Sequence, residues 1–361
     1  MAPEGVDLTA ADPDRDREAR ALVVGAGAIG SVLAGALWRA GAAVEVLTKP
    51  AEAADAIARE GIRVEGVGVG RPFTARPRAS ADAADLTPGP DFVFLVTKAM
   101  HVVEAAREVL PLLDTDTPVV AMQNGCCDEL VAGVVGRERT VGCVVQWGAT
   151  LVRPGLSRRT SRGGFTLGAL DGRAGPGAHA AARMLAACGP VRVTDNILGV
   201  RWSKLVVNSC LTTLGAVSGM NLRGVLASRT GRQAFLRTAT EAIDVARALG
   251  VKLEPMDGLD VHWLYVHRRG GRANAALARA VNEMALAGLA LLRGGIVSSS
   301  LQSLRRGEPT EIDYLNGHIV ARAREVGVEV PVNGHLVGLV KEIERGRRAI
   351  GRRNLVLPQG V

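Results

Sequence analysis

Lys204 and Asn208 combine residue types that could hold and protonate a carbonyl oxygen. They lie four apart in Arg201-Trp-Ser-Lys204-Leu-Val-Val-Asn208, so on a helix they share one face. That face is otherwise apolar, with Leu205 beside it and Leu211 one turn on. A lysine against a buried helix face is unusual. Partial burial lowers an amine's pKa toward the range useful for general acid work. The alternative is a lysine that snorkels to solvent beside a structural asparagine.

A second polar stretch is Ser298-Ser-Ser300-Leu-Gln302-Ser, followed by Gly307-Glu-Pro-Thr-Glu311-Ile-Asp313. Thr310 can cap a helix, with Glu311 in its first turn and Asp313 at the capping-box position. These acids are then ordinary helix-start residues. In the functional alternative Glu311 pairs with Lys204 and holds it in place.

Gly25-Ala26-Gly27-Ala28-Ile29-Gly30 is a G-x-G-x-x-G run directly after an apolar strand and at the opening of a helix. The first glycine allows the tight turn, the second lets backbone approach a pyrophosphate, and the third lets helix and strand pack closely. The helix N-terminus offers N–H groups and a positive dipole end to the phosphates. An NAD site usually carries Asp or Glu at the end of the second strand, for the ribose 2′-hydroxyl. Here Val44-Glu45-Val-Leu-Thr48 runs into Lys49, and Glu45 lies early in the strand. A cation at that end suits a 2′-phosphate, which favours NADP(H); otherwise Lys49 is a solvated surface lysine.

The elements that must position these groups alternate. Strands are expected at Ala21–Val24, Ala43–Leu47, Asp91–Val96, Pro118–Met122, Val141–Trp147, Leu156–Thr160 and Phe165–Gly168, with helices at Ser31–Ala40, Val102–Leu113 and from Asp128. This is a parallel α/β pattern. From about Asn196 helical periodicity takes over, at Leu198–Leu214, Gln233–Leu249, Ala273–Leu292, Glu311–Val326 and Val332–Arg345. The expected plan is a flexible leader (1–20), a dinucleotide-binding domain (21–195), a helical substrate domain (196–345) and a loosely ordered basic tail (346–361).

Composition narrows the class. With 47% hydrophobic and 22% charged residues the chain can bury a core; aromatics, at 3%, contribute little to it. The net charge of +8 lacks a basic helix stripe interleaved with aromatics, so nucleic acid is not expected. Five cysteines without a C-x-x-C pair, and six histidines without ligand spacing, fit a reducing cytoplasm and no metal. No apolar run reaches membrane-spanning length. A homodimer is left open.

Six ordered blocks resemble the ketopantoate reductase (2-dehydropantoate 2-reductase) family: Gly25–Gly30, Val96-Thr-Lys98-Ala, Gln123-Asn124-Gly125, Trp202–Asn208, Ser299-Ser-Leu-Gln302 and Pro309–Gly317. They span residues 21 to about 340. The resemblance implies a Rossmann-type domain followed by an all-helical domain like that of 6-phosphogluconate dehydrogenase, with the active site in the cleft between. It implies NADPH-dependent reduction of a small 2-oxo acid, ketopantoate to pantoate, in pantothenate biosynthesis. It casts Lys204 as general acid and Glu311 as the carboxylate near it. Ser299 would hold the substrate carboxylate, with Asn208 a further substrate contact; Asn124 and Lys98 would touch cofactor and substrate, and Lys49 the 2′-phosphate.

Three features depart from the family pattern. Thr212 stands where a second asparagine is usual, the serine block lacks the usual Met and Asp, and the segment between Asn221 and Ser298 is long. Thr212 remains a candidate substrate contact. The alternatives are a related NADPH reductase of a different oxo acid or imine, and a non-catalytic NADP(H)-binding sensor.

Overall fold

The computed structural model describes residues 18–256, 260–265, 280–288 and 297–357. Two compact units emerge: residues up to Gln123 with Cys127–Ile197, and Asn124–Cys126 with Leu198 onward. The division falls within two residues of the expected one, but the Asn124–Cys126 turn groups with the helical unit.

The first unit runs β1 (Arg20–Val24), α1 (Ala28–Arg39), β2 (Ala43–Leu47), α2 (Ala51–Glu60), β3 (Ile62–Gly66), β4 (Phe73–Ala75), β5 (Arg78–Ser80), β6 (Phe92–Leu95), α3 (Val102–Val109), β7 (Val119–Ala121), α4 (Asp128–Val135), β8 (Thr140–Val145), β9 (Ala149–Arg153), β10 (Leu156–Arg159), β11 (Phe165–Ala169), α5 (Pro176–Leu185) and β12 (Val191–Val193). Its main sheet has the order β12-β11-β8-β7-β6-β1-β2-β5 and is parallel except where β11 meets β8. Val24 of β1 stands beside Leu47 of β2 and Leu95 of β6. The chain therefore leaves all three strands at one edge, where an open parallel sheet takes its ligand.

A second sheet, β4-β3-β10-β9, was not foreseen as a separate layer; the expected Leu156–Thr160 strand belongs to it. Helix α1 packs against both layers, which explains why residues Gly30–Leu37 are all buried. Gly35 permits the approach: a Cβ there would lie 2.5 Å from a Val64 methyl. The expected leader ends earlier than residue 20, because Arg20 opens β1 and its N–H donates to Asp91 Oδ2 at 2.7 Å. Residues 1–17 lie outside the described residues.

The second unit contains α6 (Ile197–Ser218, opening at the last residue of the first unit), α7 (Leu222–Ala227), α8 (Arg229–Ala248), the helical residues 280–288 (α9), α10 (Ser299–Arg305), α11 (Asn316–Glu325) and α12 (Pro331–Glu344). The remainder of the expected Ala273–Leu292 helix lies outside the described residues. Helices α6, α8, α11 and α12 share one apolar core built from residues such as Leu205, Leu214, Phe235, Ile243, Ile319 and Leu336.

A buried polar chain also joins these four helices. Glu241 of α8 accepts the N–H groups of Val332 and Asn333 at 3.0 and 2.9 Å and the Asn333 amide at 2.8 Å. Asn333 in turn accepts from Asn316 at 3.0 Å. Asn316 donates to the Ser209 carbonyl of α6 at 3.1 Å and accepts the Thr213 hydroxyl at 2.6 Å. The carboxylate thus satisfies two of the open donors at the start of α12, where negative charge is favoured. Residues 346–357, expected as a loose tail, pack here too: buried Asn354 donates to the Val217 carbonyl at 2.9 Å.

Candidate active site

The glycine turn follows β1. Gly25 has φ +107°, and its N–H donates to the Leu47 carbonyl at 2.8 Å, closing the turn over β2. A Cβ at Gly25 would meet the Thr97 nitrogen at 2.9 Å, and one at Gly30 the Gly25 carbonyl oxygen at 1.9 Å. Gly27 differs, for nothing lies within 4 Å of a Cβ there. Gly27 is also the N-cap of α1, with no side-chain cap and no acid in the first turn. The helix thus presents its first N–H groups to an open space beside a side-chain-free residue, which fits a pyrophosphate. The buried Thr97 hydroxyl, against this turn, has no hydrogen-bond partner. Thr97 lies inside the Val96–Ala99 block but was not among the candidate site residues.

At the end of β2, Lys49 Nζ lies 2.6 Å from Glu108 Oε1 of α3. Glu45 is engaged elsewhere, accepting from Arg78 at 3.2 Å and from the Thr87 N–H and hydroxyl at 2.9 and 3.0 Å. Lys98 is half-buried where β6 leads toward α3, at the head of the single turn Ala99–His101.

In the second unit the site residues line α6. Lys204 and Asn208, both half-buried, stand one turn apart, and Asn208 Nδ2 donates to Asn124 Oδ1 at 3.4 Å. Thr212, a turn further, donates its hydroxyl to the Asn208 carbonyl at 2.7 Å. A Cβ on Gly215, the next residue of this stripe, would sit 3.0 Å from the Ser298 hydroxyl, so the start of α10 lies against α6. Ser298 caps α10, accepting the Leu301 N–H at 3.1 Å, and Ser299 follows as an exposed first helical residue.

The Asn124 turn also approaches the segment after Glu311: a Cβ on Gly125 (φ +83°) would lie 2.4 Å from the Tyr314 carbonyl oxygen. Glu311 is half-buried and heads the short turn Ile312–Tyr314, not a long helix; α11 starts at Asn316. The capping-box role expected of Asp313 gives way to a tertiary ion pair, 2.6 Å from Lys341. Thr310 bonds its N–H and hydroxyl to Glu344 at 2.8 and 2.7 Å. His318 of α11 lies beside Trp202 of α6, the rings tilted by 57° with centroids 5.8 Å apart. Burial, helped by Arg322, pushes its pKa down to about 4, so the ring is neutral near pH 7.

Within each unit, then, some of the residues singled out by sequence come together: the Gly25–Gly30 turn with Lys49 and Lys98 at one end of the sheet, and Lys204, Asn208 and Thr212 along one face of α6, with Asn124 bonded to Asn208. Glu108, Asn316 and Glu241 were missed, since each acts through partners remote in sequence. No described helix is long and apolar enough to cross a membrane. Among the described residues no group of three His, Cys, Asp or Glu could hold a metal ion.

A parallel sheet with a glycine turn between its first strand and helix, followed by a helical unit presenting an amine and amides, is the arrangement of a nicotinamide-dependent oxidoreductase. The family model for ketopantoate reductase PanE/ApbA matches residues 21–172, and that for its C-terminal domain matches residues 196–344. The chain belongs to this family and is an oxidoreductase acting on CH–OH groups, of the 2-dehydropantoate 2-reductase kind. It is 27% identical to the 2-dehydropantoate 2-reductase of Pyrococcus horikoshii over 89% of this chain and 96% of that one. A glycerol-3-phosphate dehydrogenase [NAD(P)+] of Bradyrhizobium sp. is 30% identical, over 86% of this chain and 88% of its own. The solved PanE/ApbA family ketopantoate reductase from Ralstonia eutropha JMP134 is similar with a TM-score of 0.75 and 28% identity, covering 91% of this chain and all of that one.

Proposed function

We propose that this protein reduces ketopantoate to pantoate with NADPH, using Lys204 as the proton donor. The observation that carries the reading is the α6 stripe, where the amine-bearing residue stands one turn from an amide already paired with Asn124.

The bound nicotinamide supplies the hydride that reaches C2 of the substrate. The chain does the rest. The Gly27 end of α1 takes the pyrophosphate, with Ala26, Ala28 and Ile29 giving backbone only, and Lys49 takes the 2′-phosphate. Lys98 and Asn124 orient the reacting ends, and Ser299 bonds the substrate carboxylate. Asn208 orients the carbonyl oxygen, which receives a proton from the Lys204 ammonium as negative charge develops on it. Glu311 aims that ammonium at the oxygen.

Lys204→Ala should lower kcat by about 10²- to 10⁴-fold, the usual worth of a positioned general acid. NADPH affinity, measured by titrating NADPH fluorescence, should change little. Undiminished turnover in this variant refutes the assignment.

A second reading keeps the chemistry and changes the oxo acid. Thr212 favours it, because its hydroxyl is committed to the Asn208 carbonyl and is a poorer donor toward a hydroxylated substrate. The substrate of the glycerol-3-phosphate dehydrogenase relative also differs by name. NADPH oxidation with ketopantoate against a panel of 2-oxo acids decides between them.

A further inference from the structure

Among the described residues, Glu45 and Glu108 both carry a carboxylate linked to β2 or its C-terminal end, and their partners differ. Glu45, on β2 itself, is used by Arg78 and by both donors of Thr87. Glu108 comes from α3, 59 residues beyond Lys49, and its carboxylate lies 2.6 Å from the Lys49 amine. The lysine side chain is 70% exposed and the glutamate 21%. The carboxylate is therefore the better anchored partner, and the lysine is the one that can swing.

A dinucleotide site that reads a ribose 2′-hydroxyl needs a carboxylate at this place, and one that reads a 2′-phosphate needs a cation. This chain supplies both, one from the strand and one from a helix. A 2′-phosphate drawn to Lys49 would bring close to two negative charges beside Glu108. It must compete for the amine and bear the repulsion. A 2′-hydroxyl would find in Glu108 a ready acceptor.

We propose that Glu108 is the specificity-determining residue at the cofactor's adenosine end: it weakens binding of a 2′-phosphate at Lys49 and supports a 2′-hydroxyl, leaving the enzyme able to use both NADPH and NADH. The proposal rests on the reading of Lys49 as the 2′-phosphate cation. It concerns binding alone and involves no step of the reaction.

The test uses the full chain and two probes without a nicotinamide, 2′,5′-ADP and ADP, titrated calorimetrically. Glu108→Gln should tighten 2′,5′-ADP about threefold to fivefold, the range of a partly exposed charge pair, and weaken ADP. Lys49→Ala should weaken 2′,5′-ADP about tenfold and leave ADP nearly unchanged. The Glu108 effect on 2′,5′-ADP should shrink as salt is raised. If Lys49→Ala leaves both probes unchanged, the placement of the 2′-phosphate is wrong and the proposal falls with it. If Lys49→Ala behaves as expected but Glu108→Gln moves both probes together or neither, Lys49 stands and Glu108 is a surface ion pair only.

Discussion

The Gly25–Gly30 turn presents backbone N–H groups and the absence of side chains, whereas the α6 face with the Asn124 turn presents an amine, two amides and a hydroxyl. The first is built within six consecutive residues and one strand-to-helix junction. The second draws on Asn124, α6, α10 and the Glu311 segment, and is held by polar contacts buried beneath it. A backbone site depends on what is missing at each position; a side-chain site depends on what holds its helices. The two should therefore fail differently when altered.

The largest effect is expected beneath α6. Glu241 is 1% exposed and accepts three hydrogen bonds from the start of α12. Glu241→Ala leaves those donors without a partner and should cost about 2–4 kcal/mol of stability, read by denaturant unfolding. Glu241→Gln can keep one acceptor oxygen and should cost less. Equal stability of wild type and Glu241→Ala would mean that the network is not what joins α8 to α12.

Two glycines sharpen the contrast inside the turn. Gly30→Ala forces a methyl to within 1.9 Å of the Gly25 carbonyl oxygen, so backbone must move. It should destabilise the first unit by about 1–3 kcal/mol and abolish cofactor binding. Gly27→Ala meets no protein atom, so the melting temperature should stay close to wild type. If the pyrophosphate lies at the start of α1 as proposed, the methyl takes up its space and NADPH affinity should fall about tenfold, the effect of roughly 1.4 kcal/mol. A Gly27→Ala protein that binds NADPH normally would show that the phosphates lie elsewhere.

This contrast also explains what could be read in advance. The turn was legible because Gly25 and Gly30 are demanded by geometry that other residues cannot meet, and β1 announces itself as an unbroken buried apolar run. Lys204 and Asn208 were legible as a pair because helical spacing is fixed. Helix α2 was not, since its buried residues are only Ala53, Ala54 and Ile57, too weak a stripe in an alanine-rich stretch. The strands of the second sheet are three to five residues long and interrupted by arginine and glycine. Glu108 carried no signal, because its partner is brought to it by the sheet. Asp313 was misread because a tertiary partner, Lys341, outweighs a local cap. Local rules decide where the backbone is the constraint, and they lose where a long-range charge is within reach.

The smallest effect concerns how the Glu311 segment is tied down. Thr310, the residue before Glu311, bonds twice to Glu344 of α12. Burial alone would raise the Glu344 pKa, but the Thr310 N–H and hydroxyl and the Lys341 amine at 3.3 Å outweigh it, and the net shift is downward from 4.5. A carboxylate whose folded pKa is depressed stabilises the fold above its unfolded pKa, and that contribution fades as pH falls through the folded value. Thr310→Val removes the hydroxyl bond and should cost about 0.5–1.5 kcal/mol near pH 7. Because the lost bond is strongest to an ionised acceptor, the gap in melting temperature between variant and wild type should narrow as the pH is taken below about 4.5. A gap that is constant from pH 7 to pH 3 would mean that the Thr310 hydroxyl acts through packing, and that the charge of Glu344 plays no part in holding Glu311 in place.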